Sequence, residues 1–379
     1  MKIRTNKRFG AIILAFMIML ALIPAAIPGV LAAEAAPQKT FKVFFIGNSY
    51  TDDTVAYLYD IAYAAGYRDV IVGAATIGSA SIESHYNNAV NGQAKYTYSK
   101  TKDGKKTSSA NQGFRVMLQD EDWDTVILQE QSSRAGQPVY YDQNGRLTGL
   151  IEYIRETMKA ESTASPADLP DGAEKPEARI GWFMTWAYAE GHETPGFDIF
   201  GKDQMTMYNA VANAVKTNIE GRDDIDFIVP AGTVIQNART SYLGDTLNRD
   251  GTHMVIPNGR YLAGLSAFRA ITGDSLYNYA SAPGSIKNLS PGHWPMFQDA
   301  VEDAFRTPYD VTASRYPPDD GNDEGSRPTN RPTDQPTNRP TDQPTQLLLL
   351  RTKIMPPSNS IKRAARTISL IRSLKQAIP

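Results

Sequence analysis

Five short apolar runs, "FKVFFI" (41–46), "DVIVGAA" (69–75), "DTVILQ" (124–129), "RIGWFMTW" (179–186) and "DFIVPAG" (226–232), recur along the first two thirds of this chain, with longer segments of helical periodicity between them. Runs this short, rich in β-branched and aromatic residues and closed by turn or charged residues, predict buried strands. Between and after them, alanine and long side chains at helical spacing predict helices over 53–65, 81–90, 149–160, 205–219 and 257–271, with a last one over 296–305. Strand and helix in alternation imply a parallel sheet, because parallel neighbours need a crossover that covers a face of the sheet. The predicted class is therefore α/β, three layers around a central parallel sheet. One stretch breaks the rule: the polar "YTYSKTKDGKKTSS" (96–109), with Asp103-Gly104 at its tip, predicts a hairpin insertion.

At 379 residues the chain exceeds the needs of one core, and its two ends have a different character from the rest. Lys2, Arg4, Lys7 and Arg8 precede an apolar stretch from 11 to 27 and then "GVLAAEAAP", which offers Ala-x-Ala-type cleavage sites. This predicts a secretory signal peptide over 1–35 and a secreted, extracellular or cell-surface protein. Pro24, Pro28 and the small-residue exit favour cleavage over an uncleaved anchor. The folded domain is expected over 36–317. A Pro/Thr-rich linker follows over 318–346, where "RPTDQPTN" is repeated as "RPTDQPTQ", an extended and unfolded spacer by composition. The last segment, 347–379, is basic. It is read as the remnant of a lost module, with contact to a cell wall or membrane surface as the other reading.

The chain has no Cys, which excludes disulfides, Cys-ligated metals, a thiolate nucleophile and a lipidated lipoprotein cysteine. The net charge of -2 conceals an asymmetry: residues 36–326 hold 25 Lys/Arg against 38 Asp/Glu, while 346–379 hold seven Lys/Arg and no acid. So acidic a domain is a poor partner for nucleic acid.

In a parallel sheet, ligands sit beyond the carboxyl ends of the strands. Ser49, in "FFIGNSYTDD", falls at such an end, with a helix expected just after it and backbone N–H groups free to stabilise negative charge. Gly-Asn-Ser is also ordinary turn chemistry, and a Ser there caps a helix equally well. The second block, "NRDGTHM" (248–254), supplies what a hydroxyl nucleophile needs: His253 as base and Asp250, three residues earlier, to fix its tautomer. Gly78 in "GAATIGSAS" and Gln129 or Gln131 in "VILQEQSS" end strands on the same predicted rim and offer oxyanion donors. His85 and His192 come without a spaced ligand set, so neither a metal nor another cofactor is expected.

The two blocks together resemble the SGNH or GDSL-like hydrolase superfamily, whose first block is a strand followed by Gly-Asp-Ser or Gly-Asn-Ser and whose last is Asp-x-x-His. The resemblance covers roughly residues 41–275 and is nearest to a bacterial branch with "GNSYT" and "LQEQS" blocks and undefined substrates. It implies a flavodoxin-like fold and a Ser-His-Asp mechanism. Ser49 would be the nucleophile and its N–H the first oxyanion donor, Gly78 the second donor, His253 the base and Asp250 its orienter. The third block departs from the pattern, with Gln129-Glu130-Gln131 where the superfamily usually has Gly-x-Asn-Asp. One of the two glutamines is expected to keep the amide donor, and Gln129, first off the strand, is the favoured one.

The function expected on these grounds is a secreted serine esterase acting on a small acyl group, acetyl by preference, on a carbohydrate or cell-wall glycan. The substrate rests on analogy more than on residues. The rival expectation is a non-catalytic carbohydrate-binding or adhesion module displayed on the Pro/Thr spacer. Trp182, Trp186 and Tyr188 bear on both, as a sugar-stacking platform or as ordinary core aromatics.

Overall fold

A computed structural model describes residues 39–159, 177–284 and 286–318, all within the first of two compact units, Met1–Asp320; the second, Gly321–Pro379, has no described residue. The predicted signal peptide, the basic tail and all of the linker but Pro318 lie outside the described residues. Among the described residues no helix is long and apolar enough to cross a membrane.

Seven strands form one sheet: β1 (Phe41–Gly47), β2 (Val70–Thr76), β3 (Tyr96–Lys102), β4 (Lys105–Gln112), β5 (Thr125–Leu128), β6 (Arg179–Phe183) and β7 (Phe227–Val229), in the order β4-β3-β2-β1-β5-β6-β7. The run β2-β1-β5-β6-β7 is parallel throughout, which is the flavodoxin-like strand order. The polar stretch at 96–112 forms the antiparallel hairpin β3–β4, which pairs with β2 and extends the sheet at one edge. Its outer strand is exposed and polar, with Lys105 and Lys106 discouraging pairing with another chain.

Nine helices are described: α1 (Ser49–Val55), α2 (Leu58–Ala64), α3 (Ile82–Val90), α4 (Phe114–Leu118), α5 (Arg146–Lys159), α6 (Gln204–Asn218), α7 (Ala231–Arg239), α8 (Asn258–Thr272) and α9 (Trp294–Arg306). The period-two alternation of β1 produces the layers. Phe41 packs its ring against Tyr67 and against Phe268 of α8, at 5.8 and 6.2 Å between centroids. Phe44, on the opposite face, stacks on Trp123 at 5.0 Å. α1 and α2 pack with α8, and α3 packs with α5. Each fully buried aromatic of this kind contributes about 1.5–3 kcal/mol relative to exposure.

Three local differences from the sequence reading have clear causes. The helix expected over 53–65 is two helices, and it begins earlier, at Ser49, because Asn48 caps it; Tyr57 between the two has non-helical φ/ψ of -124° and 3°. The run at 226–232 is strand only to Val229, since Pro230 has no N–H for the ladder and α7 starts at Ala231. The run at 179–186 leaves the sheet at Phe183, so Trp186 lies in the rim loop.

Candidate active site

β2 and β5 flank β1 on opposite sides, so the chain reverses direction across the sheet at the carboxyl end of β1. Ser49 sits there as the first residue of α1, where a helix leaves its leading N–H groups without carbonyl partners. Asn48 organises the surroundings. Its Oδ1 accepts from Tyr50 N at 3.1 Å and from Gln129 Nε2 at 2.8 Å, while its Nδ2 donates to Ala80 O at 3.1 Å. One side chain thereby ties together the loops that follow β1, β2 and β5. Gly47 makes the crossing possible: a Cβ there would lie 2.4 Å from Thr51 Oγ1 and 2.7 Å from Gln129 Cγ.

Asp250 and His253 reach Ser49 from the loop before α8. His253 Nε2 lies 2.8 Å from Ser49 Oγ, and His253 Nδ1 lies 2.8 Å from Asp250 Oδ2. The other carboxylate oxygen, Oδ1, accepts from His253 N at 2.8 Å, Thr252 N at 3.1 Å and Thr252 Oγ1 at 3.0 Å. Burial pushes the Asp250 carboxyl up, but these hydrogen bonds outweigh it and hold the group well below the usual carboxylate range. Asp250 is thus an acceptor-only anion directed at the imidazole.

The loop is braced on three sides. It is closed upon itself by Arg249 N donating to His253 O and Asn248 Nδ2 to Thr252 O, both at 2.9 Å. Trp186 Nε1 donates to Thr252 O at 2.8 Å, and the Trp186 ring stacks on Tyr50 at 4.1 Å, with Tyr50 edge-on to His253. On the α1 side, the fully buried Asp53 accepts from Arg249 Nη1, Arg260 Nε and Met254 N.

The sequence-derived residues distribute as follows. Ser49, His253 and Asp250, far apart in the chain, come together in one hydrogen-bonded row. Gly78 is exposed in the turn after β2, with open space where a Cβ would stand, and Ala80 two residues on is held by Asn48. Gln129 is buried, its carbonyl accepting from Thr51 Oγ1 at 2.8 Å while its amide serves Asn48, so one amide hydrogen is left. Gln131 is half-buried and turns the backbone, its carbonyl accepting from the N–H groups of Arg134 and Ala135. Between them Glu130 is buried, receiving Gln131 N at 2.7 Å and Ile82 N at 3.4 Å. Burial raises its carboxyl to about 7 despite those bonds and the nearby Arg134.

Trp182, Trp186 and Tyr188 are at most 3% exposed, so they are core and present no face to a sugar. His85 is buried against Tyr96, and His192 lies over Gly251; among the described residues no group of His, Asp or Glu is arranged to hold a metal. Sequence reasoning missed Asn48, Asp53 and Arg249 as organisers. The available signal was position: Asn48 precedes the Ser, Asp53 follows it by one helical turn, and Arg249 precedes the Asp.

The family model described as "Domain of unknown function (DUF4886)" matches residues 42–290, and a model described as "PT disordered repeat" matches residues 324–347. No curated protein matches the chain. A solved structure of a DUF4886 family protein from Bacteroides uniformis ATCC 8492 is 35% identical, covering 73% of this chain and 98% of its own, with a TM-score of 0.64. A putative platelet activating factor from Streptococcus pneumonia (12% identical, 70% of this chain and 99% of that one, TM-score 0.34) and an acetylxylan esterase from Geobacillus stearothermophilus (12%, 62% and 95%, TM-score 0.35) are much more distant, and likeness at that level says nothing of substrate.

Proposed function

The chain belongs to the DUF4886 family, and on that footing we propose that it is a secreted serine esterase removing a small acyl group, acetyl by preference, from a carbohydrate or cell-wall glycan. The observation that carries the reading is the row Ser49 Oγ, His253 Nε2, His253 Nδ1, Asp250 Oδ2, with 2.8 Å at each hydrogen bond. A hydroxyl, an imidazole and an acceptor-only carboxylate in that order are the parts of an acyl-transfer nucleophile, its base and the group that fixes the tautomer.

Ser49 Oγ attacks the ester carbonyl as His253 Nε2 takes its proton, and Asp250 stabilises the imidazolium. The imidazolium then protonates the leaving alcohol, and water, deprotonated by the same imidazole, releases the acyl group as a carboxylic acid. The oxyanion lies against Ser49 N–H, the backbone of the Gly78 turn and an amide from the 129–131 segment. Gln129 can offer its remaining hydrogen, and Gln131 is the alternative. The PT repeat supports reading the segment after the domain as a spacer, and the signal peptide expected from the sequence is what the secreted part of the proposal rests on. The buried Trp182, Trp186 and Tyr188 offer no sugar platform to the esterase or to its rival, a carbohydrate-binding module on the Pro/Thr spacer, so covalent chemistry at Ser49 is what separates the two.

The test is covalent. A fluorophosphonate probe should label the purified protein on one residue, mapped to Ser49 by mass spectrometry, and the protein should release acetate from acetylated xylan or from nitrophenyl acetate. Absence of both labelling and hydrolysis would retire the esterase reading in favour of a binding module.

A further inference from the structure

We propose that Asp53 is a positioning residue of this site, holding the His253 loop in register with Ser49 and setting the charge that His253 experiences; the inference rests on the esterase reading above. Asp53 is fully buried and sits four residues after Ser49 on α1, so one short helix fixes both side chains on neighbouring positions of one face. Its carboxylate receives three groups from the opposite wall, in four contacts. Arg249 Nη1 lies 3.1 and 3.3 Å from its two oxygens, Arg260 Nε lies 2.8 Å from Oδ1, and Met254 N lies 2.7 Å from Oδ2.

Arg249 and Met254 bracket the segment that carries Asp250 and His253, and the same Arg249 guanidinium also bonds Met254 O. The two ends of the loop are therefore pinned to a single carboxylate, and that carboxylate belongs to the helix that presents the nucleophile. The Ser49–His253 contact is set by α1 itself and not by the long path through the sheet.

The second consequence is electrostatic. His253 faces Asp250 and Thr252 on its own loop, Ser49 and the Tyr50 ring from α1, and Arg249 beside it, whose Nε is 3.9 Å from Asp250 Oδ2. Arg260 reaches Asp53 from α8, and His192 lies against Gly251 from the loop after β6. Asp53 balances one of the two guanidinium charges. Without it, Arg260 loses this carboxylate and Arg249 keeps, among carboxylates, only its 3.9 Å contact with Asp250, so one net positive charge is added beside the loop whose imidazole must become cationic during turnover. Neutralising Asp53 therefore disfavours the imidazolium, and removing Arg260 favours it.

The test uses the full chain and the pH profile of kcat/KM for nitrophenyl acetate. Asp53→Asn should lower kcat by about 10²-fold with KM within about twofold, since 1 Å of misplacement costs on that order, and should move the acidic limb down by about one pH unit. Arg260→Gln should move the same limb in the opposite direction, with a smaller loss of kcat, and it carries the test if Asp53→Asn fails to fold by circular dichroism. Opposite shifts are what a purely structural role would not produce. A folded Asp53→Asn with wild-type kcat and an unmoved limb overturns the proposal, as do shifts of the same sign in both variants. Wild-type protein that neither labels nor hydrolyses ester would instead remove the esterase reading, and this inference with it.

Discussion

Among the described residues Asp-Gly occurs at the tip of the β3–β4 hairpin, as Asp103-Gly104, and in the rim loop, as Asp250-Gly251, and these two copies do different work. In the hairpin both residues take positive φ, 52° and 70°, as the two-residue turn between strands requires. Both are exposed, and a Cβ on Gly104 would meet nothing. In the rim loop Gly251 also has positive φ, 79°, but the His192 ring lies where its Cβ would stand, and the Asp250 carboxylate is fully committed to Thr252 and His253. The dipeptide supplies a bend in both places. A hydrogen-bonded row to Ser49 forms only where other elements close upon it.

The largest test of this contrast exchanges the two aspartates for asparagine. Asp250→Asn keeps the loop's shape but frees the His253 tautomer, and turnover should fall by about 10⁴-fold, the scale of the same change in serine proteases. Asp103→Asn should leave ester hydrolysis unchanged, since Asn suits a left-handed turn position equally well. A loss below about tenfold in Asp250→Asn would mean that another group orients His253.

How much of this was legible in the sequence follows from what each feature depends on. The five parallel strands could be read because strand-length apolar runs between helical segments admit few arrangements, and the Ser49 and Asp250/His253 blocks could be singled out because their residue types have recognised chemistry. What could not be read was partnership across the chain. Asp53 looks like an acid in the first turn of any helix until Arg249 and Arg260, some 200 residues on, are folded against it. Trp186 looks like a candidate sugar platform until Tyr50 is found stacked on it. The α7 helix was hidden for a more local reason, since its apolar start continues that of β7 and only Pro230 separates them.

A second comparison sets the carboxylates of the two regions against each other, through pH. Near the hairpin, burial raises Asp120, but bonds from Lys100 and Tyr98 outweigh it and hold its carboxyl below the ordinary value, so that what it contributes is lost as pH falls. At the rim, burial holds Glu130 at about 7 against an ordinary 4.5. The folded state then keeps a proton that the unfolded state gives up, so stability from this group is full below about 4.5 and disappears as pH rises through 7. The loss is at most about 3 kcal/mol. Thermal melts of wild type should show this decline between those pH values, and Glu130→Gln should flatten it; an identical decline in the variant would place its origin elsewhere.

The smallest expected effects come from the two glycines, and they compare the regions most directly because the same substitution is made in each. Gly104→Ala introduces a side chain at positive φ but into open space, so its cost is the backbone strain alone, about 1 kcal/mol, with ester hydrolysis untouched. Gly251→Ala carries the same strain and in addition drives a methyl to within 2.1 Å of the His192 ring. Either His192 must rotate away, breaking its contact with Thr194, or the loop must move. Movement of the loop displaces Asp250 and His253 from Ser49, so a stability loss of about 1–3 kcal/mol should be accompanied by a fall in turnover. The double variant Gly251→Ala with His192→Ala separates the two causes. Recovery of turnover, with only the strain remaining, would identify the steric clash as the route by which a residue outside the row reaches it. No recovery would mean that the left-handed turn at Gly251 is itself required to present Asp250 to His253.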